Sequence, residues 1–327
     1  MIDEIVHLIG FTDTRQDCPN CFHNGVIILF SRELEKMKDG FLLIDKECDY
    51  TSRDVCNIIA KIFDAKKVGH AGTLDPFATG LLIVALNNAT KALTYIEGQY
   101  KTYEATLLLG KKTSTGDLTG EEIETKEIPN LSEDDIKDVL NSLIGESEQT
   151  VPITSAVHVN GRKLYHYAHL NQEVELPKRT INVEELELLE FNSPVIRFKA
   201  KVSKGTYVRT LGETIAEKLN TVGHLTALRR TEIVDLNVKN AKTIKKIKET
   251  DLIDISSIIG KFLPLKTLPN DVELKKARHG GKLSLKLFEE RLDTFCVIDN
   301  KNSAVAIYKY SDLGYYECVR GINREDN

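Results

Sequence analysis

No stretch of this 327-residue chain approaches the roughly 18 consecutive apolar residues of a membrane-spanning helix, and Met1-Ile2-Asp3-Glu4 lacks the basic start and apolar centre of a secretory signal. The expectation is a soluble cytoplasmic protein without a membrane partner. Cysteine is scarce: six residues, at 18, 21, 48, 56, 296 and 318, are too thinly spread to frame a disulfide-held secreted fold, so reduced thiols are expected. Cys18-Pro19-Asn20-Cys21, with His23 close by, is the one spacing that can share a zinc ion or cycle redox. A structural zinc site needs four ligands and no second paired motif follows, so the plainer reading is two unpaired thiols, and no metal site is assigned. A Rossmann glycine fingerprint and a P-loop are missing too, as are internal repeats and low-complexity tracts.

With 41% hydrophobic and 28% charged residues, the chain can bury a sizeable core, and its length suggests one large domain and a small one. The net charge of −5 argues against indiscriminate nucleic-acid binding, but it averages over unlike regions. Asp117 to Glu146 carries ten acidic and two basic residues, a net −8, whereas Arg197 to Arg230 carries eight basic and two acidic, a net +6. The first repels phosphate and the second is expected to be able to hold it.

Residues 1–38 read as an extension of unknown role, and a product starting at Met37 would retain everything interpreted below. Phe41 to Ile44 predicts a strand, and Ser52 is expected to cap a helix with Val55, Ile58, Ile59, Ile62 and Phe63 at helical spacing. Leu81–Leu86 and Tyr103–Leu109 predict two further strands. Ser132 is expected to start an amphipathic helix with Ile136, Val139, Leu140, Leu143 and Ile144 inward and Gly145 just past its end. Ile196, Phe198, Ala200 and Val202 alternate with Arg197, Lys199, Lys201 and Ser203, a strand with one apolar and one basic face. Mixed strands and helices of this kind give an α+β domain. Past Asn240, lysines and then Pro264 and Pro269 mark a boundary region. Phe295–Ile298, Ala304–Tyr308 and Tyr315–Val319 are short strands of a small β barrel or sandwich.

The most unusual local sequence is Gly69-His70-Ala71-Gly72-Thr73-Leu74-Asp75-Pro76-Phe77-Ala78-Thr79-Gly80, where glycines and a proline shape an irregular loop around one carboxylate ahead of a buried strand. An Asp before Pro is otherwise an ordinary turn residue. This loop resembles the catalytic motif of the TruB family of pseudouridine synthases. The resemblance continues in Lys101-Thr102-Tyr103-Glu104-Ala105, Thr113-Ser114-Thr115-Gly116-Asp117, Gly161-Arg162-Lys163-Leu164-Tyr165, Ser203 to Leu211 and Leu225 to Thr231, in family order from about residue 39 to 235. The C-terminal part resembles, more weakly, a PUA-like domain.

The resemblance implies a mixed, mainly antiparallel sheet flanked by helices: a catalytic domain over 39–240, an RNA-binding insertion about 152–177, a connecting segment over 241–263 and a PUA-like β domain over 264–327. It implies isomerisation of a uridine in the T stem-loop of tRNA, by a monomer and with no cofactor. The N-glycosidic bond must break, uracil must rotate and C5 must bond to C1′, which needs no second reactant. Asp75 is then the nucleophile, as carboxylates are in glycoside hydrolysis. Arg209 is expected to lower its pKa and fix its direction, and Tyr103 to stack on the flipped uracil. His70, Lys46 and Tyr207 are expected beside the base, and Arg162, Lys163, Tyr165, Leu228, Arg229 and Arg230 against the RNA.

Family members usually carry Lys-Pro-x-Gly-x-Thr-Ser after the first strand. Here the segment is Lys46-Glu47-Cys48-Asp49-Tyr50-Thr51-Ser52, and His158 stands where a lysine is common. Three rival readings keep some of these residues: a guide-RNA-dependent enzyme of the dyskerin type, a non-catalytic RNA-binding or RNA-folding protein, and a zinc-dependent nucleoside enzyme using Cys18 and Cys21.

Overall fold

The computed structural model describes residues 38–96, 100–170 and 172–323; Cys18, Cys21 and the rest of the extension before Lys38 lie outside the described residues. The chain enters as strand β1 (Gly40–Lys46), helix α1 (Ser52–Ile62), β2 (Val68–Ala71) and β3 (Thr79–Leu86). It continues through β4 (Tyr100–Leu109), a hairpin of β5 (Lys111–Thr113) and β6 (Glu122–Thr125), α2 (Glu133–Ser142) and β7 (Gly145–Thr150). A second hairpin, β8 (His158–Val159) and β9 (Arg162–Lys163), and the short α3 (Leu164–His169) make up the insertion. Then follow β10 (Lys178–Asn192), β11 (Val195–Ser203), α4 (Val208–Lys218), β12 (Gly223–Ile233) and β13 (Leu236–Asn237).

These strands form one sheet in the order β1-β3-β12-β4-β11-β10-β7, with β2 on β3 and β13 on β12. Only the β3–β12 pair is parallel, which agrees with the expected mixed, mainly antiparallel sheet. The unbroken apolar run of β3 has a simple cause. Leu82, Val84 and Leu86 face a core closed by Val55 and Ile59 of α1, while Leu81, Ile83 and Ala85 face a second core with Phe41, Leu43, Ile258 and Ile307. A strand covered on both faces has no reason to alternate.

Strands β4 and β11 are covered on one face only, and they do alternate. Ile196, Phe198, Ala200 and Val202 are buried, whereas Arg197, Lys199 and Lys201 look outward. The expected basic face is nevertheless neutralised. Arg197 pairs with Glu190 at 2.9 Å, Lys199 with Glu185 at 3.5 Å and Lys201 with Glu184 at 3.1 Å, because β10 lays its glutamates alongside. Exposed pairs of this kind add little stability, but together they cancel the charge that was to hold phosphate.

Three local expectations are corrected. Thr51, not Ser52, caps α1: its hydroxyl accepts from the Asp54 N–H, and the Asp54 carboxylate accepts from the Thr51 N–H. Ser52 instead exchanges hydrogen bonds with the backbone of Leu74. Ile62 and Ile144 are 49% and 47% exposed; α2 ends at Ser142, so Ile144 has already left the helical period.

Residues 241–263 run along β1, where Phe41 and Ile253 exchange backbone hydrogen bonds and Lys242 accepts from Asp45. Here helix α5 (Ile255–Ile259) adds to the core behind β3. Beyond it, β14 (Leu265–Lys266), α6 (Asp271–Arg278), β15 (Leu283–Ser284), β16 (Thr294–Ile298), β17 (Ala304–Ser311) and β18 (Tyr315–Gly321) form a second sheet, ordered β14-β16-β17-β18-β15. One side of it, with Cys296, Ala304 and Ile307, joins the core behind β1 and β3; the other packs Phe295, Tyr308 and Tyr316 into a core of its own.

Gly80 takes the chain into β3 at φ +104°, and a Cβ there would stand 2.2 Å from the backbone oxygen of Arg230. Gly80→Ala therefore combines a left-handed strain with a backbone clash. It should destabilise the protein by at least about 2 kcal/mol, read as a lower urea midpoint at unchanged slope.

Candidate active site

Between β2 and β3, residues 72–78 form a loop held by side chains from three directions. Arg230 on β12 donates from Nη2 to Gly72 O (3.0 Å) and from Nε to Leu81 O (2.7 Å), fastening both ends. Lys46 at the end of β1 donates to Pro76 O (3.2 Å), Tyr50 O (2.7 Å) and Glu47 O (3.0 Å). The Ser52 hydroxyl accepts from Leu74 N–H at 2.9 Å. Leu74, Phe77 and Ala78 are buried beneath, so Asp75 is the loop's acidic group left facing outward, its side chain 35% exposed.

Opposite it stands Arg209, in the first turn of α4, with only 4% of its side chain exposed. Its Nε lies 3.0 Å from Asp75 Oδ2, close enough for an ion pair but off the line of a good hydrogen bond. The rest of the guanidinium is held by three hydrogen bonds: Nη1 donates to Thr115 O and to Thr154 Oγ1, both at 2.7 Å, and Nη2 donates to Thr154 O at 3.2 Å. Nη1 also lies 3.5 Å from Asp117 Oδ2. Asp117 is itself 4% exposed, and its Oδ1 accepts from the Thr115 hydroxyl and from the Thr119 N–H and hydroxyl.

Burial pushes the Asp75 carboxyl above the ordinary aspartate range; Arg209 pulls it down, Asp117 pushes it up again, and Lys46 lowers it. The net direction is upward, contrary to the lowering expected from a guanidinium alone, because loss of water outweighs one cation. Lys46 is shifted down, chiefly by its own burial.

The pair opens onto a cleft of about 1930 Å³, well beyond the roughly 300–1,000 Å³ of small-molecule sites and suited to a piece of a macromolecule. Its walls are the start of α1 (Thr51–Arg53), the β5–β6 connection (Ser114–Glu121) and the insertion (Ile153–Ala156, Tyr165, Tyr167 and Gln172–Leu176).

The structure brings Asp75, Arg209, His70 and Tyr165 together around this cleft. Arg162 and Lys163 sit on the β8–β9 hairpin of the insertion, outside the lining, with Lys163 Nζ 5.6 Å from the Tyr165 ring centroid. Other expected contacts are not brought to the cleft surface. Lys46 and Arg230 are 0% exposed and spend their donors on backbone carbonyls, and Leu228 is core at 6%. Arg229 alternates to the far face of β12, where it grips Asp45 with both Nη atoms at 2.9 and 2.8 Å. Tyr207 precedes α4, its N–H and C=O clamped by the Gln149 amide. Tyr103, 8% exposed, sits in the core across from Ala200 and Arg230 and does not line the cleft.

Asp117, Gln149 and Thr154 were not singled out from sequence. For Asp117 a cue existed in the Thr-Ser-Thr-Gly setting, hydroxyls crowded beside a carboxylate; for the other two there was none.

Residues 60–208 match the family model described as TruB family pseudouridylate synthase, N-terminal domain. The chain is 40% identical over 261 residues to tRNA pseudouridine synthase B of Hydrogenovibrio crunogenus, covering 79% of this chain and 85% of that one. It is 39% identical over 290 residues to the Staphylococcus aureus (strain Newman) enzyme of the same name, covering 83% and 94%. Two solved structures share the fold at lower identity. One is an H/ACA ribonucleoprotein bound to a substrate RNA containing 2′-deoxyuridine (TM-score 0.68, 22% identity, 89% and 87% covered). The other is the archaeal box H/ACA Nop10–Cbf5 complex (TM-score 0.66, 21% identity, 89% and 88% covered).

The adjacent arginines of β12 should separate cleanly on substitution. Arg230→Leu takes the arginine's donors from the carbonyls of Gly72 in the loop and Leu81 in β3 and should cost about 2–5 kcal/mol, whereas Arg229→Ala breaks a partly exposed pair and should cost under about 1 kcal/mol. Thermal unfolding of the two proteins checks both values.

Proposed function

The chain belongs to the TruB family of pseudouridylate synthases, and from that premise we propose that it isomerises a uridine in the T stem-loop of tRNA to pseudouridine, with Asp75 as nucleophile. The observation that carries the reading is the Asp75–Arg209 ion pair at the floor of a cleft too large for a free nucleoside. The named relatives near 40% identity favour a tRNA enzyme over a guide-RNA-dependent one, the H/ACA structures standing at 21 and 22%.

In this reading the uridine is flipped out of its loop, at a cost of roughly a few kcal/mol, and its ribose C1′ faces the Asp75 carboxylate. The carboxylate stabilises the sugar as the N1–C1′ bond breaks, or adds to it. Uracil then turns, C5 bonds to C1′, the C5 proton leaves and N1 carries a proton in its place. Atoms balance within one nucleotide, so the chemistry calls for no cofactor. Tyr103 can stack on the base only through a rearrangement that exposes its ring, given its present burial. The reading includes the domain division 39–240, 241–263 and 264–327, the insertion at 152–177 as the RNA grip, and a monomer working in the cytoplasm.

An unmodified tRNA transcript incubated with the protein alone should gain one pseudouridine, in the T loop, and Asp75→Asn should slow this by about 10⁴-fold or more. No conversion by folded wild-type protein would favour a guided or purely RNA-binding role. Because Asp75 must be ionised to attack and its pKa is raised, the single-turnover rate should fall on acidification, with its midpoint above the ordinary 3.8. Replacing Arg162 and Lys163 with alanine should weaken tRNA binding and flatten its salt dependence while leaving the single-turnover rate at saturation unchanged, as measured by filter binding and quenched time courses.

A further inference from the structure

We infer that Thr154 is a positioning residue of this site: it orients the Arg209 guanidinium from the root of the insertion, so that Asp75 is correctly opposed only while the insertion is seated over the cleft. The inference rests on Asp75 and Arg209 being the reacting pair.

Of the hydrogen bonds that fix the guanidinium plane, two end on Thr154, one on its hydroxyl (2.7 Å) and one on its carbonyl (3.2 Å). The guanidinium is a rigid planar fork, so a shift at Nη1 and Nη2 tilts Nε, the atom 3.0 Å from Asp75. Thr154 is not part of the sheet that carries Asp75. It lies four residues beyond the end of β7, among residues 153–156 that form one wall of the cleft. Just before it, β7 grips the entry to α4, because buried Gln149 accepts from the Tyr207 N–H at 2.7 Å and donates to the Tyr207 carbonyl at 3.0 Å. Those two clamps stand on either side of the point where the chain leaves the sheet for the insertion. Displacement of the insertion by RNA is therefore passed to the ion pair, and the hydroxyl of Thr154 is the link that a substitution can remove without altering shape.

The test compares Thr154→Val, which keeps the shape and loses the hydroxyl, with Thr154→Ser, which keeps the hydroxyl, on an unmodified tRNA transcript. The single-turnover rate of Thr154→Val should fall roughly ten- to a hundredfold, its acid limb should move to higher pH, and its tRNA Kd should stay within about twofold of wild type. Thr154→Ser should stay near the wild-type rate. A wild-type rate in Thr154→Val, or a change confined to Kd, overturns the inference, as does an equal loss in both variants. If the valine protein does not fold, Thr154→Ala is read against the same criteria. Asp75→Asn run alongside separates the two readings. Activity in that protein removes the reacting pair itself, whereas its inactivity beside a fully active Thr154→Val removes only the role given to Thr154.

Discussion

A carboxylate that attacks a sugar has to stay ionised in a place from which water has largely been removed, and in this fold the Arg209 guanidinium supplies most of the compensation. The distances state the conflict: Arg209 lies 3.0 Å from Asp75 Oδ2, yet burial and the second acid, Asp117, still leave Asp75 harder to ionise than an ordinary aspartate. A guanidinium serves better than an ammonium would, because it can face Asp75 with one nitrogen and be fastened through the others to Thr115, Thr154 and Asp117. Fastening matters as much as charge, since a cation free to swing away would let the carboxylate take up a proton.

Much of the surrounding architecture serves that opposition. Asp75 rides on a loop whose ends are tied by Arg230 and whose middle is tied by Lys46 and Ser52, and its apolar residues are sunk in the core. Arg209 rides on the first turn of α4, fixed by Gln149. The loop leads into β3 and α4 leads into β12, neighbours in the sheet, and β12 runs parallel to β3 and carries Arg230 under the loop.

What could be seen in the sequence was whatever depends on near neighbours. Unbroken burial of Leu81–Leu86, the amphipathic periods of α1 and α2, and the odd glycine spacing around Asp75 all follow from local rules. What could not be seen depended on partners far along the chain. The basic stripe of β11 looked able to bind phosphate until β10 supplied its glutamates, and Arg229 and Arg230 looked alike until strand alternation sent one to Asp45 and the other beneath the loop. The raised pKa of Asp75 was missed for a related reason: a nearby cation can be inferred from a motif, but the depth of burial cannot. Tyr103 is the converse case, a role carried over by resemblance to a ring whose 8% exposure no local rule announces.

The claim that Arg209 keeps Asp75 ionised against its surroundings is tested most directly by titrating the Asp75 carboxyl carbon by NMR in aspartate-labelled protein, in wild type and in Arg209→Gln. The account predicts a wild-type midpoint above the ordinary aspartate value and a further upward move in Arg209→Gln. A midpoint that stays where it is, or falls, when the guanidinium is removed would contradict it.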